Sequence, residues 1–204
     1  AHRTALQAVA QRDHFLNAAA HELRTPLTGI QLLLRRESGA GRLEDPGRAL
    51  GSISAQAQRL RALIDQLLDV AQARTGMLPL RRQPADLRAL LVTVADRMQT
   101  SRPTVTIDGP SVWANVDVAR IEQVLTNLLD NAQRYSAPDA PILITIDSHA
   151  DAVTFAVRDQ GEGIVEERRD GIFDRFTHGE HSVGLGLGLF VAREIVEAHG
   201  GSIH

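Results

Sequence analysis

Apolar positions set the first expectation. Leu16, Ala20, Leu23, Leu27, Ile30 and Leu34 recur with the alternating four-three spacing of a heptad seam on a helix. A second seam runs Ile53, Ala57, Leu60, Ile64, Leu67 and Ala71, after a polar, glycine-bearing stretch from Glu37 to Gly47 that reads as a turn. Two amphipathic helices and a turn predict a helical hairpin. A lone hairpin leaves both seams partly open to water, so two hairpins are expected to pair as an antiparallel four-helix bundle. The alternative is that the helices cap the following domain within one chain.

Gly76, Pro79 and Pro84 break the helical pattern and mark a connection. Beyond it, Asp86 is placed to cap a helix carrying Leu87, Leu90, Leu91, Val94 and Met98, and TVTI and SVWA read as short strands. Asp117 is a second cap, for a helix through Tyr135 with Ile121, Val124, Leu125, Leu128 and Ala132 on its buried side. The period then changes to two. Ile142, Ile144 and Ile146, then Val153, Phe155 and Val157, predict an antiparallel strand pair. A last helix, about Leu187 to His199, ends where Gly200 and Gly201 supply a C-cap. The fold class is α+β: a hairpin, then helices on one face of a mixed sheet.

Composition narrows the function. A hydrophobic fraction of 43% over 204 residues is ordinary for a packed soluble domain. The net charge of -3 gives no electrostatic reason to expect nucleic acid as a partner. With Cys 0, disulfides and thiolate metal sites are excluded, which fits a reducing compartment. No apolar run approaches the roughly 18 to 20 residues of a membrane-spanning helix, and the N-terminus lacks the apolar core of a signal peptide. A start without Met and a stop at HGGSIH read as an excerpt of something longer.

Four short stretches carry candidate chemistry. In HELRTP, residues 21 to 26, His21 follows the seam residue Ala20 and is expected to face solvent. Glu22 beside it can orient the imidazole N–H and raise the nucleophilicity of the other ring nitrogen. The plain alternative is a polar helix face. A zinc-protease HExxH is excluded, since Thr25 stands where its second histidine belongs. In NLLDNAQRYS, residues 127 to 136, Asn127, Asn131 and Arg134 share one stripe. An amide oxygen suits Mg²⁺, a guanidinium suits phosphate, and Tyr135 offers a ring on which a base can stack. Solvated surface is the alternative. In DQGEG, Asp159 sits at a strand end where it can accept from the exocyclic amine of adenine, with Gly161 and Gly163 admitting close backbone approach. An ordinary Asp-Gly turn reads equally from the letters. In GLGLGL, residues 184 to 189, glycines open a helix and can bring backbone N–H groups to a polyphosphate. Neither a dinucleotide fingerprint nor a P-loop is present.

Taken in order, these stretches resemble the transmitter core of two-component sensor histidine kinases over nearly the whole chain. HELRTP looks like the H-box, NLLDNAQRYS the N-box, DQGEG the G1 box, IFDRF at 172 to 176 the F-box, and GLGLGLFVAREIVEAHGG the G2 box. The resemblance implies a dimerisation and phosphotransfer hairpin over 1–76, a linker over 77–84, and an ATP-binding domain over 85–204. That domain would be a Bergerat-type α/β sandwich, as in the GHKL ATPases, stopping short of its final strands.

By resemblance, His21 is the phosphoacceptor, Glu22 its general-base partner, and Thr25 the position that orients water for dephosphorylating a response regulator. Asn131 is the Mg²⁺ ligand, with Asn127 and Arg134 near metal and phosphates and Tyr135 against adenine. Asp159 accepts from the adenine amine, with Gly161 and Gly163 beside it. Arg175 reaches toward the γ-phosphate, and Gly184, Gly186 and Gly188 belong to the hinge and phosphate end of the ATP lid. The implied partners are a second copy of the chain and the receiver domain of a response regulator. The implied setting is the cytoplasmic part of a membrane-anchored sensor, with the anchor outside these residues. Leu185 stands where a small hydroxyl residue is common in the family, and Thr177 to Val183 make a short lid. Two rival readings are a GHKL-type ATPase and a degenerate nucleotide-binding scaffold. Position 127 argues against the first, because such ATPases resemble one another in placing a glutamate there.

Overall fold

A computed structural model of the chain describes residues 19–35, 46–73, 78–98, 104–137, 139–149, 152–169, 171–175 and 185–204. The chain divides into a helical unit and an α/β unit, described separately below. Leu16, most of the turn expected from Glu37, the TSRP turn, Phe176, Thr177 to Val183 and Gly184 lie outside the described residues.

In the helical unit, α1 covers residues 19–35 and α2 covers Pro46–Ala73, so the expected turn gives way to helix by Pro46. Proline suits a first helical position because its missing N–H would have had no partner there. Glu22 of α1 approaches Arg59 of α2 at 3.9 Å, and a Cβ on Gly29 would sit 3.8 Å from Gln56. Moving forward along α1 thus means moving backward along α2, and the helices are antiparallel. Gln56 faces α1, and Leu63 and Val70, both buried, repeat its position at heptad spacing. The half of the expected seam formed by Ala57, Ile64 and Ala71 is instead exposed, as are Leu27, Leu34 and Leu68. One hairpin covers only half of a two-sided apolar stripe.

The second unit contains β1 (Gln83–Asp86), α3 (Leu87–Met98), β2 (Val105–Asp108), β3 (Trp113–Val116), α4 (Val118–Tyr135), β4 (Ile142–His149), β5 (Ala152–Arg158), α5 (Glu166–Arg169) and α6 (Gly188–Ala198). Asp86 caps α3 as expected, accepting from the amides of Arg88 at 3.0 Å and Ala89 at 3.2 Å. Asp117 caps α4 through the amide of Arg120 at 3.2 Å. β4 and β5 pair antiparallel with Ile144 opposite Val157 and Ile146 opposite Phe155, as their alternation predicts. β2 lies parallel to β4 on its other side, giving the order β2-β4-β5, and β1 pairs with β3 in a separate ribbon.

Ile142, Ile144 and Ile146 are fully buried in one core with Leu91, Val94, Leu125 and Leu129. Each such side chain contributes roughly 1.5–3 kcal/mol of burial free energy, so helices and sheet are held as one layer pair. α6 packs on α4 and closes at Gly200, whose φ of 86 lets the Gly201 amide return to the Val196 carbonyl at 3.0 Å.

The second unit also departs from expectation. β1 begins at Gln83 and Pro84, inside the stretch read as linker. β3 starts at the exposed Trp113 rather than at Ser111. Leu129 joins Leu125 as a fully buried leucine of α4, while Leu128 is only half-buried. The single-turn α5 carries no apolar periodicity and was not expected.

Candidate functional site

His21 projects from α1 with its side chain 77% exposed. Its Nδ1 lies 3.9 Å from Glu22 Oε1, and Glu22 Oε2 lies 3.9 Å from the Arg59 guanidinium. Both separations exceed hydrogen-bond length, so Glu22 stands between a base-sensitive ring and a fixed cation, bonded tightly to neither. Thr25 turns its hydroxyl to the His21 carbonyl at 3.2 Å rather than to the ring. The result is a solvent-exposed imidazole with a carboxylate 3.9 Å away.

The other expected residues collect around α4 in the second unit. Asn127 is 8% exposed, and its Nδ2 donates to the carbonyl of Gly188 at 2.9 Å, which separates it from the open stripe it was expected to share. Asn131, a turn later, is half-buried, while Arg134 and Tyr135 are exposed at the helix end. The loop after β5 folds back on that end. Asp159 Oδ1 accepts from the Gly161 amide at 2.8 Å, and a Cβ on Gly161 would fall 2.5 Å from the Tyr135 carbonyl oxygen. Only glycine permits this approach, which brings Asp159, Gly161 and Tyr135 together. Gly163 and Gly186 occupy left-handed backbone, at φ 74 and φ 61, and Gly188 opens α6.

Arg175 stacks over the ring of Phe190 in α6, 4.4 Å from its centroid. Arg193 approaches the same ring at 5.7 Å and pairs with Asp174 at 3.6 Å. Phe190, Arg193 and Asp174 escaped the sequence reading. The signal present was Phe190 and Arg193 at i, i+3 on one helix face. Among the described residues no group of three or more His, Asp or Glu could hold a metal ion. Asn131, half-buried on α4, carries an amide oxygen whose chemistry suits a hard cation.

The chain thus combines a helical hairpin bearing an exposed histidine with an α/β unit whose last helix opens on glycine. Residues 116–204 match the family described as histidine kinase-, DNA gyrase B-, and HSP90-like ATPase, and residues 11–76 match the His Kinase A (phospho-acceptor) domain. The chain belongs to the sensor histidine kinase family. It is 34% identical over 208 residues to the sensor protein SrrB of Staphylococcus aureus, covering 94% of this chain and 35% of that protein. The chain thus spans about a third of the length of the curated relatives it matches. Among solved structures, the Acinetobacter baumannii histidine kinase AdeS superposes with a TM-score of 0.66 at 30% identity, covering 87% of this chain and 86% of that one. Full-length ShkA in complex with AMPPNP superposes with a TM-score of 0.65 at 25% identity, covering 92% and 41%. No described helix is long and apolar enough to cross a membrane.

Proposed function

We propose that the chain transfers the γ-phosphoryl group of ATP to His21 and then to an aspartate on the receiver domain of a response regulator. The observation that carries this reading is the 77% exposed His21 side chain with Glu22 beside it. A ring nitrogen forms the new bond to the γ-phosphorus, the bond to the β,γ-bridging oxygen breaks, and ADP leaves. Glu22 takes the ring N–H proton or holds it by hydrogen bonding as charge develops. When bound, Mg²⁺ supplies charge neutralisation on the phosphates. Asn131 is the protein ligand that fits it. Positioning and electrostatics carry most of the acceleration in such transfers.

Nucleotide binding is assigned to the second unit. Asp159 keeps Oδ2 for the adenine amine because Oδ1 is taken by Gly161. The exposed Tyr135 ring offers a stacking face, Gly163 belongs to the same loop, and Arg134 and Arg175 supply cations for phosphate. Gly184, Gly186 and Gly188 serve the phosphate end of the nucleotide in the same reading. Thr25 serves dephosphorylation of the regulator in the same reading. The exposed Leu27, Leu34, Ile64 and Leu68 support pairing of two hairpins in a homodimer. A phosphotransfer hairpin over 1–76, an ATP-binding domain that takes in β1 at the end of the 77–84 stretch and runs through 204, and a place on the cytoplasmic side of a membrane-anchored sensor complete the proposal.

A hydrolysing ATPase is the weaker reading, because Asn127 has no carboxylate to activate water. Incubation with γ-labelled ATP separates the readings. Label that is acid-labile, alkali-stable and absent from His21→Gln is expected. Label surviving that substitution would sink the assignment, phosphate release without labelling would favour the ATPase, and binding alone would favour a scaffold.

A further inference from the structure

We infer that Arg82 and His199 are positioning residues for delivery of the γ-phosphoryl group to His21, and that they act by pinning the connector that follows the hairpin onto the second unit. The inference rests on the kinase reading above. The last four carbonyls of α6 have no partner inside the helix. The amide of His199 returns to Ile195 at 3.1 Å, that of Gly200 to Glu197 at 2.9 Å and that of Gly201 to Val196 at 3.0 Å, which leaves the carbonyl of Ala198. It accepts from the guanidinium of Arg82, 116 residues away in sequence, at 2.9 Å. The helix dipole also favours a cation at this end.

The neighbouring connector residue is held at the other helix. The Arg81 amide donates to Asp117 Oδ2 at 2.7 Å, while Asp117 Oδ1 caps α4 through the Arg120 amide at 3.2 Å. The amide of Asp117 itself donates to His199 Nε2 at 3.0 Å, and Nδ1 of the same ring lies 2.8 Å from the Ile195 carbonyl. An amide N–H only donates and a carbonyl only accepts, so His199 is the Nδ1–H tautomer with both nitrogens engaged. His199 thereby ties the end of α6 to the start of α4, and residues 81 and 82 are bonded to the two sides of that tie. β1 begins at Gln83, which is paired with Val116 of β3. The pinned segment thus starts at Arg81 and not at β1. Its release would give the connector two more residues, about 7 Å of reach. Delivery depends on orientation as well as reach, and a misplacement of about 1 Å costs about 10²-fold in rate.

The test compares Arg82→Ala, Arg82→Lys and His199→Phe in the 204-residue chain. Hydrogen exchange of the Arg81 amide should rise about three- to tenfold in Arg82→Ala and His199→Phe, as for one weakened hydrogen bond, with exchange in β4 unchanged. Affinity for a non-hydrolysable ATP analogue with Mg²⁺ should stay within about threefold, while the single-turnover rate of His21 labelling at saturating ATP falls at least about tenfold. Arg82→Lys keeps a donor and a charge at the helix end and should recover most of that rate. Unchanged Arg81 exchange, or labelling that keeps its rate in both variants, would overturn the inference. So would a loss of labelling matched by a loss of analogue affinity. If the unsubstituted chain never labels His21, the kinase reading fails and the delivery role with it, while Arg81 exchange still decides whether the connector is pinned. Because Arg82 is exposed, Arg82→Ala keeps the test open should His199→Phe fail to fold.

Discussion

The carbonyl oxygen of Tyr135 closes over Gly161 so tightly that a Cβ there would lie 2.5 Å from it and 2.9 Å from Asp159 Oδ1. Neither obstacle can give way cheaply, since one is helix-end backbone and the other is held by the Gly161 amide at 2.8 Å. Gly161→Ala should therefore displace the loop and Asp159 with it. Titration calorimetry with a non-hydrolysable ATP analogue should read a loss of at least about tenfold, or about 1.4 kcal/mol. Retained affinity would remove Asp159 from the adenine site.

Gly188 gives the contrasting case. Its added Cβ would meet Asn127 only at 3.5 Å, an ordinary contact. Gly188→Ala should be accommodated and, on helix propensity, raise stability by up to about 1 kcal/mol in urea melts. A large loss would mean that the α6 start needs more backbone freedom than its geometry implies.

Glu22 is 3.9 Å from both His21 and Arg59, so its effect should be on chemistry and not on nucleotide binding. Glu22→Gln should slow His21 labelling about 10²-fold or more. Analogue affinity measured in parallel should be unaltered. A drop in affinity of matching size would contradict a base or orienting role.

Asp117 predicts an acid limit. Burial alone would raise its carboxyl, but amides of Arg81 at 2.7 Å and Arg120 at 3.2 Å, with the Arg120 charge, more than offset this and hold it below the ordinary carboxylate value. A depressed folded-state value adds stability that is fully present above the unfolded pKa, about 3.9, and is lost as pH falls through the folded one. Urea midpoints of the unsubstituted chain should fall in that window. Asp117→Ala should cost about 1–2 kcal/mol at neutral pH and flatten the acid slope. An unflattened slope would place the acid sensitivity elsewhere.

What could be read from sequence was what local pattern determines. Asp86 and Asp117 announce helix starts because capping needs only the next three residues, and the alternation of Ile142 to Val157 announces a strand pair. β1 was missed because QPAD is short, carries Pro84 and has no alternation, and it becomes a strand only through β3. The exposed half of the hairpin seam depends on which face α1 occupies, which spacing alone does not specify. In the site, His21 and Glu22 are neighbours in sequence and were legible. The Asn127 bond to Gly188 and the stacking of Arg175 on Phe190 join distant segments, and only the fold brings them together.

Phe190 is 3% exposed beneath two guanidiniums, so Phe190→Ala should destabilise the second unit by about 3–5 kcal/mol in denaturant melts. Phe190→Leu should recover most of the stability without restoring the aromatic face for Arg175 and Arg193. Labelling kinetics that follow stability across both variants would deny Phe190 any part in placing Arg175.

The hydrogen bond from Asn127 to Gly188 also bears on how this scaffold can diverge. Acquiring a water-activating carboxylate at position 127 takes one substitution, yet a carboxylate has no N–H to offer the Gly188 carbonyl and repels it instead. The change that creates a hydrolytic base thus removes a bond that holds the start of α6 against α4. In the kinase proposed above, a single mutation toward hydrolysis at position 127 carries a structural cost of its own.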